Sequence, residues 1–183
     1  MGKVYEQLDD ALVRFIGRQH VFFVGTAPDS PDGHLNVSPK GLDTFRILGP
    51  KTVAYLDLTG SGIETVAHLR ENGRITVMFC AFEGRPRILR LYGRGRAVEP
   101  TDAGWSELAA RFPELPGVRS VVVLEVERVA DSCGYAVPRY EYVGDRPQLT
   151  EWCEKKSPEA LRDYRAKKNR ASIDGLPGLA SAE

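Results

Sequence analysis

The stretch Leu58-Thr59-Gly60-Ser61-Gly62-Ile63-Glu64-Thr65, running on into Val66-Ala67-His68-Leu69, decides how the chain is read. An apolar run stops at Leu58, a bend of small polar residues follows, and helical spacing begins at Ile63, so a strand feeds a turn and the turn feeds a helix. The backbone N–H groups at such a helix start are free, and the positive end of the helix dipole suits an anion there. Hydroxyls on Thr59, Ser61 and Thr65 add donors beside them. The same letters also support a reading without a ligand, in which Ser61 and Glu64 form a reciprocal capping box and Gly73 after Asn72 stops the helix.

Outward from the turn, short runs rich in Val, Ile, Phe and Tyr recur between Gly, Pro, Asp and Asn punctuation, at 20–26, 34–38, 44–48, 52–58, 74–82, 87–98 and 118–128. This is the pattern of strands in an antiparallel meander or barrel, with "PDSPDG" at 28–33 as the clearest hairpin connection. Around the strands, Val4, Leu8, Ala11, Leu12, Phe15 and Ile16 predict an amphipathic helix over 4–16. Two more helices are expected at 63–72 and 102–112. After Val129 the texture turns to Pro, Tyr and charge, then to a charged helical stretch at 149–168, and ends in the Gly/Pro-rich "SIDGLPGLASAE". A tail of that composition is expected to be irregular and suits wrapping a partner subunit.

Composition narrows the function classes. The 183 residues carry 25 basic and 25 acidic side chains, so no overall field draws the protein to nucleic acid or to an anionic membrane, and small-molecule partners are favoured. No apolar run approaches the roughly 20 residues of a membrane-spanning helix, and the first residues lack a signal-peptide centre, which leads to the expectation of a cytoplasmic protein. Cys80, Cys133 and Cys153 have no C-x-x-C spacing and read as reduced thiols. His20, His34 and His68 show no metal-ligand spacing, so no metal site is expected. A G-x-S-x-G elbow is absent; the Gly-Ser-Gly turn lacks the lysine of a phosphate-binding Walker loop and the third glycine of a dinucleotide fingerprint.

An anion at the turn wants a cation. Lys40 in "NVSPKG", two residues after the hydroxyl of Ser38, is one source, although a solvated turn lysine reads the same way. The other is "RPRILRLYGRGR", where strand alternation sets Arg90, Arg94 and Arg96 on one face and Arg85 and Arg87 on the opposite face, barring a bulge. An exposed sheet face paired with acids is the plain alternative for that strand.

Taken together, "HVFFVGTAPDSPDGHLNVSPKG", "VAYLDLTGSGIETVAHLRENGRITVMFC" and "RILRLYGRGRAVEP" resemble the pyridoxamine 5'-phosphate oxidase-like family of flavin-binding split barrels, over residues from about 20 to 128. The resemblance implies a mainly β fold with peripheral helices, an antiparallel Greek-key split β-barrel, and a homodimer with FMN in the groove between subunits. It divides the chain into a flavin-binding domain at 1–130 and a C-terminal extension at 131–183 that packs on the barrel or on the partner subunit. By the same resemblance Ser38, Lys40, Leu58, Thr59, Ser61, Thr65 and Arg87 are the cofactor-binding residues. Glu64 and Thr65 stand where the oxidases carry an Arg-Lys pair, and "GLPGLASAE" stands where they carry an Arg- and His-bearing end. These departures point away from vitamin B6 chemistry and toward an FMN-dependent oxidoreductase of another small-molecule substrate, with no acid or base named. A deazaflavin-dependent reductase of the same fold, or a non-catalytic flavin- or haem-binding protein, is the alternative.

Overall fold

The structure is a computed structural model that describes residues 2–180. Among the described residues eight strands form one antiparallel sheet in the order β3-β2-β6-β7-β8-β5-β4, with β1 paired to β8 off that path. They are β1 (Val4–Tyr5), β2 (Phe22–Thr26), β3 (Asn36–Lys40), β4 (Phe45–Gly49), β5 (Thr52–Leu58), β6 (Arg74–Cys80), β7 (Ile88–Val98) and β8 (Val118–Ser132). Hairpins join β2 to β3 and β4 to β5, while β6 returns to β2 and β8 to β5, which gives the Greek-key path of an antiparallel split barrel. Outside the sheet lie the helices α1 (Asp10–Ile16), α2 (Glu64–Glu71), α3 (Trp105–Ala109), α4 (Gln148–Glu154) and α5 (Pro158–Lys168). None of these is long and apolar enough to cross a membrane.

Strand β5 explains why its sequence is almost continuously apolar. Val53 and Tyr55 face the main core with Leu12, Phe22, Val77, Phe79, Leu89 and Leu91, while Ala54 and Leu56 face a second cluster with Val98, Phe112, Val121 and Val123. A strand covered on both faces has no polar side to alternate with. Asp57 sits at its end, just before the turn that leads to α2.

Four expectations of local structure change. The 4–16 helix is shorter, because Val4 and Tyr5 pair with Ala130 and Val129 on the far end of β8 and Asp9 caps α1, accepting from the Leu12 N–H at 2.8 Å. The 102–112 helix is reduced to α3, which begins after Gly104 at a φ of 84°. The 149–168 stretch breaks at Ser157-Pro158: proline lacks the N–H that would continue α4, and Ser157 starts α5 by accepting from Ala160. The Ser61/Glu64 capping box is not formed, since Ile63 holds the N-cap position without a side-chain bond and Glu64 accepts instead from the Ile173 N–H of the tail. The arginine strand keeps its alternation, because the register skip beside Tyr92 and Gly93 leaves the extra residue, Glu127, on β8.

The C-terminal segment folds back over α2. Ala171 bridges Pro177, and Leu179 is buried against Ile63 and Val66. The last three residues lie outside the described ones.

The loop into β8 carries a tight constraint. Gly117 sits at a φ of 81°, its carbonyl accepts from both the N–H and the hydroxyl of Thr59, and any Cβ there would collide with the Cys153 sulfur. Left-handed backbone and overpacking each cost a non-glycine residue about 1–3 kcal/mol. Gly117→Val is expected to lose about 2–5 kcal/mol in urea denaturation, and a loss within about 0.5 kcal/mol of zero would refute that account.

Candidate functional site

The turn that ends β5 opens on a small pocket of about 150 Å³, lined among others by Ser38, Lys40, Leu58, Gly60, Thr65 and Arg119. Its floor is an ion cluster. The Asp57 carboxylate, 1 % exposed, accepts from Arg119 Nε at 2.7 Å through one oxygen and from Lys40 Nζ at 3.2 Å through the other. Burial alone would push the Asp57 carboxyl up, yet Arg119 and Lys40 together outweigh it and hold the group below the usual carboxylate range. Asp57 is therefore ionised, and with Glu64 on the pocket rim two carboxylates face the two cations. Because Asp57 is buried beneath them, Lys40 and Arg119 present their remaining donors to the pocket, where Lys40 is partly exposed.

One wall is a chain of neutral hydrogen bonds. Ser38 donates to Asn36 Oδ1 at 3.1 Å, and Asn36 Nδ2 donates to Thr65 Oγ1 at 3.0 Å and to Thr26 Oγ1 at 3.3 Å. Thr26 Oγ1 lies 3.0 Å from Nδ1 of the fully buried His68, whose pKa is depressed by burial, so the imidazole stays neutral there. Thr65 accepts from Asn36, and its hydroxyl also lies in hydrogen-bond reach of the buried Tyr55 phenol beneath the pocket. At the rim the Glu64 carboxylate folds over Gly62 and accepts from Ile173.

Of the residues expected at the site, Ser38, Lys40, Leu58 and Thr65 come together on this pocket. Thr59 lies beneath it, buried, with its hydroxyl donating to the Gly117 carbonyl at 2.7 Å and accepting from Arg165 Nε at 2.9 Å. Ser61 is exposed at the tip of the turn, outside the lining. Arg87 stands apart, on a second groove described below. The sequence reading passed over Asp57 and Arg119. The signal was a charge inside each of two apolar runs, "VAYLDL" and "VRSVVV", where a buried charge requires a counter-ion.

The donors fit a phosphate. Two cations share one wall, the hydroxyl of Thr65 and the turn beside Gly60 border the cavity, and the volume suits a group of that size and not a ring system, which takes roughly 300–1,000 Å³.

The family model described as pyridoxamine 5'-phosphate oxidase matches residues 8–133, which takes in strands β2 to β8. The chain belongs to the pyridoxamine 5'-phosphate oxidase family. It is 43 % identical to the pyridoxamine 5'-phosphate oxidase family protein ustO of Aspergillus flavus, over 97 % of this chain and 78 % of that protein. Among solved structures it is similar to HupZ of Group A Streptococcus, with a TM-score of 0.51 and 22 % identity over 67 % of this chain and 91 % of that one. A single-site variant of HupZ gives a TM-score of 0.52 at 22 % identity, over 68 % of this chain and 98 % of that chain. At that identity the likeness to HupZ carries the fold alone.

The helix start of this family member carries Glu64 and Thr65 and no cation, and the cations of the pocket come from strands β3 and β8. The larger groove of this family member, about 1150 Å³, lies between α1, the β6–β7 hairpin and the segment after β8. Arg87 anchors its floor, donating to Asp131 Oδ2 from Nη2 at 2.7 Å and to the Tyr5 hydroxyl at 2.7 Å. Burial raises and the Lys3 N–H, Tyr5 and Arg87 lower the Asp131 carboxyl, with a net downward shift. Tyr135, Tyr140 and Tyr142 overhang the groove, the last stacked on His20 with ring centres 3.6 Å apart.

Proposed function

We propose that the chain binds FMN with its phosphate in the pocket floored by Lys40, Asp57 and Arg119, and that it acts as a flavin-dependent oxidoreductase on a small molecule. The observation that carries this reading is the pair of cations, Lys40 and Arg119, held together on one wall of a phosphate-sized cavity beside the Gly60 turn, in a member of the pyridoxamine 5'-phosphate oxidase family. In this reading Lys40 and Arg119 bond the phosphate, the Thr65 hydroxyl turns from Tyr55 to donate to it, and Leu58 borders the path by which the rest of the molecule leaves the pocket. When bound, the flavin supplies hydride or electron transfer, and the protein supplies position and charge.

A pocket of 150 Å³ holds only the phosphate end, so the ring must lie on a surface outside it. Strand β3 borders that mouth and is a sheet edge, with Leu35 79 % and Val37 71 % exposed. A second copy of the chain seated on this edge closes the site and brings its own Arg87 groove toward the ring. The assembly proposed is thus a homodimer with the cofactor between subunits. Zero net charge and free cysteines suit a cytoplasmic setting.

The test is the visible absorption spectrum of the purified protein, with mass spectrometry of the small molecule released on denaturation. FMN near one per chain supports the reading. A released deazaflavin would change the cofactor while keeping the fold, and a protein that is colourless and takes up neither added FMN nor deazaflavin overturns the flavin reading.

A further inference from the structure

The C-terminal extension touches the turn in a way that its composition did not announce. Arg165 and Asn169 lie four apart on and just after α5, on one side of that helix, and both reach the turn. Arg165 donates through Nε to Thr59 Oγ1 at 2.9 Å and through Nη2 to the Val118 carbonyl at 3.1 Å. Asn169, 0 % exposed, donates through Nδ2 to the Gly60 carbonyl at 2.9 Å. The Arg119 guanidinium donates to the same carbonyl, with Nη1 at 3.4 Å.

Two features are costly for stability alone. Asn169 Oδ1 is buried without a hydrogen-bond donor among the described residues, which forfeits the hydration of a strong acceptor. Half-buried Arg165 is bonded to neutral acceptors; burial and the nearby Arg119 both pull its pKa down, so two guanidinium groups repel one another across the turn. Around the turn Lys40, Arg119 and Arg165 face the carboxylates of Asp57 and Glu64, and an arriving phosphate dianion relieves the excess.

We infer that α5 is a working part of the phosphate site: Arg165 and Asn169 are positioning residues that clamp Thr59 and Gly60, and the charge of Arg165 makes the pocket prefer a phosphorylated flavin to an uncharged one. This rests on the flavin reading above. It gives the C-terminal extension a role in cofactor selection.

The experiment is a fluorescence titration of the apoprotein with FMN and, separately, with riboflavin, for wild type, Arg165→Gln, Arg165→Lys and Asn169→Ala, with the Tm of each variant. Arg165→Gln is expected to raise the Kd for FMN about tenfold and to leave that for riboflavin within about twofold, with Arg165→Lys in between. Asn169→Ala is expected to speed hydrogen exchange at the amides of 59–63 and to weaken FMN. Equal weakening of FMN and riboflavin by Arg165→Gln, or an unchanged FMN Kd in the folded variant, overturns the inference. Should the wild type bind no flavin, the flavin reading fails separately, and inorganic phosphate decides the clamp. A Tm rise with phosphate in the wild type that Arg165→Gln lacks upholds it; equal rises, or none, overturn it.

Discussion

Asp57→Asn is expected to fold with about 3–5 kcal/mol less stability than the wild type. The isosteric amide fills the same space, so nothing is lost to packing. What changes is that Arg119, 5 % exposed, and Lys40 are left without their shared anion. A buried cation stripped of its partner keeps the full cost of leaving water. Urea denaturation at neutral pH measures the difference, and a loss below about 1 kcal/mol would show that the cluster does not hold the turn. Two companions sharpen the result. Adding Arg119→Met to Asp57→Asn removes the stranded guanidinium and is expected to recover part of the loss, which a pair of independent sites would not do. The pH dependence has a fixed sign as well. The Asp57 carboxyl sits lower in the folded chain than in the unfolded one, so its contribution is complete above the unfolded value of about 3.9 and is lost as pH falls through the folded value. The gap between wild type and Asp57→Asn therefore narrows in acid.

Lys40→Ala is expected to raise the FMN dissociation constant about 10- to 100-fold, the equivalent of one charge-assisted hydrogen bond to a phosphate. Its effect on folding is small by comparison, because Asp57 keeps its 2.7 Å bond to Arg119 and the lysine side chain is already 21 % exposed. Riboflavin, which lacks the phosphate, is expected to bind the variant as it binds the wild type. An FMN affinity unchanged by Lys40→Ala would remove this residue from the site.

These two residues also show how far the sequence carries the reading. The barrel is legible because its strands alternate or run apolar between turn residues, and because the chain order of strand, hairpin, turn and helix is local information. Ser38, Lys40, Leu58 and Thr65 are legible for the same reason, lying on either side of two recognisable strand ends. Asp57 is legible only as an anomaly, since its partner Arg119 is 62 positions away. The contact of Arg165 with Thr59 spans 106 positions and leaves no local trace at all. Local grammar also misleads where a distant group competes: Ser61 and Glu64 have the spacing of a capping box, but the tail brings the Ile173 N–H to Glu64 and the box does not form. Likewise the apolar spacing of residues 4–16 is helical throughout, yet the free far end of β8 recruits Val4 and Tyr5 as a strand.

Where the phosphate goes is tested most directly by a crystal structure of the protein with FMN. The phosphorus is expected in the pocket beside Gly60, with its oxygens in hydrogen-bond reach of Lys40 Nζ and the Thr65 hydroxyl and against the Arg119 guanidinium. A phosphate seated elsewhere, for instance among the arginines of the Arg87 groove, would contradict it.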